Sequence, residues 1–135
     1  MKTLLVVFHS RGAKTAAMAA AVERGAWRAL EEAEALDEVT VVVKRAPDAG
    51  PEDVLAADAL ILGTPENFGY MSGLMKDFLE RVFYPCESRL EGRPWALFVG
   101  AGQDGRGGGL GWGLDEGHGG YFATQPVLPV PDSLT

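Results

Sequence analysis

The sequence predicts a single α/β domain built on a doubly wound parallel sheet. Two observations carry this expectation: short, continuously apolar runs alternate with longer segments whose apolar residues recur at three- and four-residue steps, and polar, glycine-containing stretches separate the two kinds. Continuous apolar runs suit strands buried on both faces. Parallel neighbours need crossover connections, and right-handed crossovers can lay helices on either side of the sheet.

The first strand is Thr3 to His9, an apolar run that ends at the polar stretch His9-Ser10-Arg11-Gly12. The period then changes. Met18, Val22, Ala26, Ala29, Ala33 and Leu36 form a helical stripe, with Glu23, Arg24, Arg28, Glu31 and Glu32 between them. Val39 to Val43 is a β-branched second strand. Pro51 stands at a first helical position ahead of Glu52 to Ala57, a short second helix introduced by the loop Ala46 to Gly50. Ala59 to Leu62 is the third strand. Met71, Leu74, Met75, Phe78, Leu79 and Val82 make the cleanest helical stripe, with Ser72 as N-cap and Pro85 just past the end. Trp95 to Val99 is the fourth strand. From Gly105 to Gly120 glycines displace apolar residues, so a further covering helix is poorly encoded at about 1 kcal/mol per glycine relative to alanine. Gln125 to Val130 is a candidate edge strand, interrupted by Pro126 and Pro129.

Composition narrows the function classes. A chain of 135 residues with 47% hydrophobic and 23% charged residues supports one core and argues against disorder. Its apolar runs fall well short of the roughly 20 residues that cross a bilayer, and Leu4 to Phe8 is too short for the core of a secretory signal. The net charge of −7 disfavours a groove that tracks nucleic-acid phosphates. Cys86 is the single cysteine, which makes no internal disulfide and fits a reducing cytoplasm; with no His near it in sequence, it reads as a small buried hydrophobe. His118 has no neighbouring His or Cys, so no metal site is assigned there. Trp27, Trp95 and Trp112 read as packing residues, with Trp112 able to reach the ligand only if the tail folds back.

In an open α/β sheet the ligand lies outside the carboxyl ends of the strands, where the winding direction reverses. Three segments should meet there: His9 to Thr15, Thr64 to Gly69, and Ala101 to Gly109. The first is short, hydroxylated and basic, and it leads into a helix amino terminus, whose unpaired N–H groups favour an anion. It suits a phosphate, although Ser10 or Thr15 could equally serve as a helix cap beside solvated Arg11 and Lys14. A Walker A loop is excluded, because Phe8 and Ala13 occupy its glycine positions. A phosphoacceptor site is excluded as well, because Gly63 and Thr64 stand where an acidic residue would end the third strand. The second segment, Gly63-Thr64-Pro65-Glu66-Asn67-Phe68-Gly69, can press a planar ring system, or can be an ordinary approach to a helix with Phe68 in the core.

The run from Gly63 through Tyr70-Met71-Ser72-Gly73-Leu74-Met75-Lys76-Asp77-Phe78-Leu79-Glu80-Arg81 resembles the second flavin loop and following helix of flavodoxin-family proteins and NAD(P)H-dependent FMN or quinone reductases, especially the WrbA-like branch. The similarity extends through His9-Ser10-Arg11 to Thr15 and through Leu90-Glu91-Gly92-Arg93-Pro94, covering roughly residues 2 to 105. It implies a flavodoxin-like strand order 2-1-3-4-5 with the fifth strand weak or missing. It also implies an FMN-binding domain over residues 1–105, with 106–135 as a glycine-rich, atypical C-terminal part of the same domain. Carried over residue by residue, Ser10, Arg11, Gly12, Lys14 and Thr15 hold the FMN phosphate. Pro65, Glu66, Asn67, Phe68 and Gly69 contact the isoalloxazine, and Gly102, Gln103 and Asp104 close its other side. The chain departs from the family pattern in two places. Gly12 and Ala13 stand where the first loop usually carries a hydroxyl and a glycine, and the glycine-rich tail replaces a helix and a fifth strand.

The resemblance implies an oxidoreductase that passes electrons from NAD(P)H through FMN to a quinone or similar small acceptor. The flavin carries the chemistry, so no catalytic side chain is named. Main-chain N–H groups of the second and third loops are expected to stabilise negative charge on the ring. Two alternatives stay open: a flavodoxin-type electron carrier without substrate turnover, and a chain that keeps the fold but has lost FMN. A cytoplasmic protein without nucleic-acid or membrane partners is expected, and a homo-oligomer is compatible with the sequence.

Overall fold

The structure is a computed structural model that describes residues 1–67, 70–100 and 120–125. In chain order the elements are β1 (Lys2–Phe8), α1 (Lys14–Glu32), β2 (Val39–Arg45), a 3-10 turn (Ala46–Asp48), α2 (Pro51–Ala56), β3 (Ala59–Asn67), β4 (Tyr70–Met71), α3 (Gly73–Cys86), β5 (Trp95–Gly100) and β6 (Gly120–Gln125). The sheet order is β2-β1-β3-β5-β6, with the short β4 paired to β3 off this path. β2, β1, β3 and β5 are mutually parallel, which is the flavodoxin-like arrangement expected, with β5 as the fourth parallel strand. β6 runs antiparallel to β5, Gly100 opposite Gly120 and Trp95 opposite Gln125.

Side-chain alternation along the parallel strands divides the core into two layers. Leu5 and Val7 of β1, Leu62 of β3 and Trp95, Leu97 and Val99 of β5 pack with Val54 of α2 and Met75, Phe78 and Val82 of α3. Val6 and Phe8, Val41 of β2 and Phe98 of β5 pack on the opposite face with Ala19, Val22, Trp27 and Leu30 of α1. Trp27 and Trp95 are thus core residues, as expected, and Trp112 lies outside the described residues. Cys86 is buried, its Sγ 3.8 Å from the Pro51 carbonyl, and burial pushes its thiol above the ordinary value.

Several boundaries differ from the sequence expectation, and four of the differences have a local reason. α1 stops at Glu32 instead of reaching Leu36. Its end is a Schellman turn, in which Ala35 N–H donates to Leu30 O (2.8 Å), Glu34 N–H donates to Glu31 O (3.1 Å), and Glu34 takes the left-handed φ of 55°. α3 includes Pro85, because a proline in the last turn deletes only the bond to Arg81 O, one residue before the helix ends at Cys86. β3 continues through the polar Thr64-Pro65-Glu66-Asn67, with Thr64 opposite Val99 and Pro65 opposite Gly100. The described edge strand is Gly120–Gln125, and antiparallel pairing places it there without requiring a crossover helix. The expected strand beyond Gln125 lies outside the described residues.

Interactions at helix ends hold the α2/α3 layer in place. Asp53 accepts the Gly50 N–H (2.9 Å) at the start of α2 and a bond from Lys44 Nζ (2.7 Å). Arg93 Nη1 donates to the carbonyls of Val54 (3.2 Å), Leu55 (3.1 Å) and Ala57 (2.7 Å) at the carboxyl end of α2. Arg81 does the same for Ala49 O (2.7 Å) and Ala46 O (2.9 Å). Among the described residues, no helix is long and apolar enough to cross a membrane.

Candidate functional site

The carboxyl ends of β1, β3 and β5 meet, and the two described loops leave them side by side. His9 N–H donates to Gly63 O (3.0 Å), which ties the first loop to β3. Gly100, the last residue of β5, lies against the first turn of α1: a Cβ there would fall 2.6 Å from Thr15 Oγ1 and 3.4 Å from Met18 Sδ. Only glycine permits this approach of helix to strand. Pro65 and Gly100 are register partners, so β5 ends beside the point where β3 passes into the second loop.

The first loop is organised by Ser10. Its Oγ donates to Gly12 O (2.6 Å) and accepts the Ala16 N–H (3.0 Å), closing the turn over the start of α1. At the N-cap position Ala13 provides no side-chain cap, and the first turn carries no acidic residue. Arg11, Gly12, Ala13 and Lys14 are exposed, and a Cβ on Gly12 would meet nothing within 4 Å. Positive partial charge on the first N–H groups of α1 therefore lies at an exposed turn beside two basic side chains, which suits an anion. Thr15 is buried beneath the loop against Gly100, so its hydroxyl serves packing rather than the open face. Ser10 likewise shapes the turn that it was expected to furnish with a ligand.

The second loop is a short hairpin that leads into α3. Glu66 pairs with Met71 and Asn67 with Tyr70 across β3 and β4. Its base is tied by Thr64, which is fully buried: Oγ1 accepts the Ser72 N–H (3.0 Å) and donates to Pro65 O (2.9 Å). Ser72 then caps α3 by accepting the Met75 N–H (3.1 Å), as the sequence predicts. Pro65, Glu66 and Asn67 are half-buried along one arm of this hairpin. Phe68, Gly69, Gly102, Gln103 and Asp104 lie outside the described residues.

One neighbour of the site escapes sequence reasoning. Arg45 ends β2 in register with Phe8, and its guanidinium sits 5.0 Å from the centre of the Phe8 ring. His9, the next residue along, is held below its ordinary pKa by burial and then by the charges of Arg11 and Arg45. The only sequence signal for Arg45 is a basic residue closing a β-branched strand. Its relation to Phe8 requires the parallel register.

Comparison with known proteins is consistent with this geometry. Residues 32–110 match the family described as NADPH-dependent FMN reductase. The chain is 37% identical over 113 residues to a flavodoxin of Aquifex aeolicus, covering 84% of this chain and 53% of that protein. It is 33% identical over 113 residues to an NAD(P)H dehydrogenase (quinone) of Acidithiobacillus ferrooxidans, covering 73% and 56%. Among solved structures, a flavodoxin from the domain Archaea superposes with a TM-score of 0.61 at 24% identity, over 77% of this chain and 66% of that one, a likeness of fold. The flavodoxin WrbA-like protein of Agrobacterium tumefaciens gives 0.54 at 28% identity, over 75% and 60%. The chain spans about half the length of the two curated relatives. FMN and NAD(P)H are the cofactors of this group, and oxidoreductase its class. With a match across more than half of its length, on a flavodoxin-like sheet, the chain belongs to the NADPH-dependent FMN reductase family.

Proposed function

We propose that this chain holds FMN at the carboxyl ends of β1, β3 and β5 and passes electrons from NAD(P)H to a quinone or a similar small acceptor. The observation that carries the reading is the exposed start of α1, where Ala13 supplies no side-chain cap and Ser10 takes up only the Ala16 N–H, beside exposed Arg11 and Lys14 in a chain of net charge −7. A basic turn at a helix amino terminus in an acidic chain suits an anion, and a phosphate monoester meets its chemistry.

In this reading Arg11, Lys14 and the main-chain N–H groups at Gly12 to Thr15 bind the phosphate. Ser10 and Thr15 act as positioning residues, one by closing the turn and the other by seating α1 on Gly100. Pro65, Glu66, Asn67, Phe68 and Gly69 flank the ring, and Gly102, Gln103 and Asp104 close it from the third loop. Thr64 and Ser72 keep the hairpin at a fixed distance from the first loop. Bound FMN supplies the capacity to accept a hydride and release electrons singly or in pairs. The protein's share is orientation, exclusion of water and main-chain dipoles directed at the ring.

Titration of the purified protein with FMN, read by quenching of flavin fluorescence, tests the binding step; an unquenched signal at saturating protein would refute it. Steady-state oxidation of NAD(P)H by the FMN-loaded protein with a quinone present tests the turnover. The relation to the Aquifex aeolicus flavodoxin supports a second reading, an electron carrier. A carrier would bind FMN as tightly but oxidise almost no NAD(P)H until a separate reductase is added.

A further inference from the structure

We propose that His9 and Arg45, at the ends of two neighbouring strands, complete with Arg11 a three-sided basic cluster that takes the flavin phosphate as its dianion. The inference rests on the flavin reading above and adds two residues to it.

Register carries the first part of the argument. Because β1 and β2 are parallel with Phe8 opposite Arg45, the guanidinium over the Phe8 ring lies one residue from His9, and the first loop leaves the sheet at that point. The His9 main chain is fixed to Gly63 O where β1 ends. Polar bookkeeping carries the second part. His9 Nδ1 is buried and has no hydrogen-bond partner among the described residues. The ion pairs found among those residues join Lys44 to Asp53, Lys76 to Glu80 and Arg81 to Asp77, and leave Arg11 and Arg45 without a carboxylate. A ring nitrogen lacking a partner, acted on by two cations that have no carboxylate among the described residues, is an arrangement that an anion resolves.

The groups acting on His9 are Arg11 from its own loop and Arg45 from β2, while β3 presents the Gly63 carbonyl to its main chain. Both guanidiniums and the burial oppose a proton on the ring while the site holds no anion. A dianion among the three reverses the balance, so the ring takes up one proton from solvent as FMN binds. Phosphate monoesters have their own second ionisation near pH ~6, so the effect is read above that value.

The experiment compares FMN with riboflavin, which lacks the phosphate, on the full chain at pH 7 to 8.5. Arg45→Ala is expected to weaken FMN by about tenfold or more, the lower end for loss of one charge-assisted contact, and to leave riboflavin within about twofold. Calorimetry in two buffers of different ionisation enthalpy should show proton uptake with FMN in the parent protein and none in His9→Gln. Arg45 is exposed, so its variant is expected to fold even if the His9 variant does not. Unchanged FMN affinity in Arg45→Ala, or equal proton uptake in His9→Gln, overturns the inference while leaving FMN binding intact. Failure of the parent to bind either flavin overturns the flavin reading, and this inference with it.

Discussion

The ring of Phe98 lies over the α-carbon of Gly63. Phe8, Gly63 and Phe98 are register partners across β1, β3 and β5, so all three point to the α1 face of the sheet, and the middle one must be small. A Cβ on Gly63 would overlap Cζ and both Cε atoms of the Phe98 ring, which is fully buried. Gly63→Ala should therefore destabilise the fold by about 1–3 kcal/mol through overpacking. Urea unfolding with an unchanged m-value is the measurement. In a double-mutant cycle, Phe98→Leu should relieve part of the cost of Gly63→Ala, whereas additive costs would show that the two residues do not compete for space.

Thr64 links the fold to the candidate site, because its hydroxyl is the partner of the buried Ser72 N–H and so fixes the base of the hairpin. Thr64→Val keeps the shape and removes that acceptor. The orphaned N–H should cost about 1–3 kcal/mol. Loosening of the hairpin should also speed flavin release, so the check is a lower urea midpoint together with a faster off-rate in stopped-flow dilution of the loaded protein. Stability lost with flavin release unaltered would confine Thr64 to a structural role.

How much of this was legible in the residues depends on the range over which each feature is encoded. Apolar continuity and the Ser72 cap are local signals, and they mark β1, β2, β5 and α3 without reference to the rest of the chain. β3 is legible only to Leu62, because Thr64 to Asn67 are polar residues whose strand geometry comes from pairing with β5 and β4. The end of α1 is missed because Ala33 and Leu36 extend the helical stripe while the chain turns at Glu34, a residue with no strong preference for left-handed backbone. At the site, loop chemistry marks Ser10 and Arg11, but the burial of Thr15 against Gly100 and the approach of Arg45 to Phe8 depend on register between strands far apart in sequence.

Glu34 offers a separate test of that reasoning. A non-glycine residue in the left-handed region costs roughly 1–2 kcal/mol, while glycine returns roughly 0.5–1 kcal/mol of that through greater freedom in the unfolded chain. Glu34→Gly should leave a net gain of about 0.5–1 kcal/mol, read as a raised thermal midpoint. The residue is exposed and distant from the loops, so FMN affinity should not move. A lowered midpoint would mean that the turn is not left-handed at this position.

The Lys44–Asp53 pair predicts how stability responds to pH on the acid side. Asp53 is held below its ordinary value of 3.8, first by the hydrogen bond from Lys44 and then by the Gly50 N–H, against an opposing effect of burial. A carboxylate whose folded pKa is depressed contributes fully above its unfolded value, and the contribution fades as pH falls through the folded one. Lys44 is raised above 10.5 by the same bond, so its contribution persists at neutral pH and is lost only as pH rises through that higher folded value. Asp53→Asn should thus lower the thermal midpoint by a constant amount from about pH 6 to 8, and the gap to the parent should close as pH falls below the ordinary carboxylate value and through the lowered folded one. Thermal melts of both proteins across that range supply the measurement. A gap that stayed constant throughout would show that the charge on Asp53 contributes nothing to holding α2 against the end of β2.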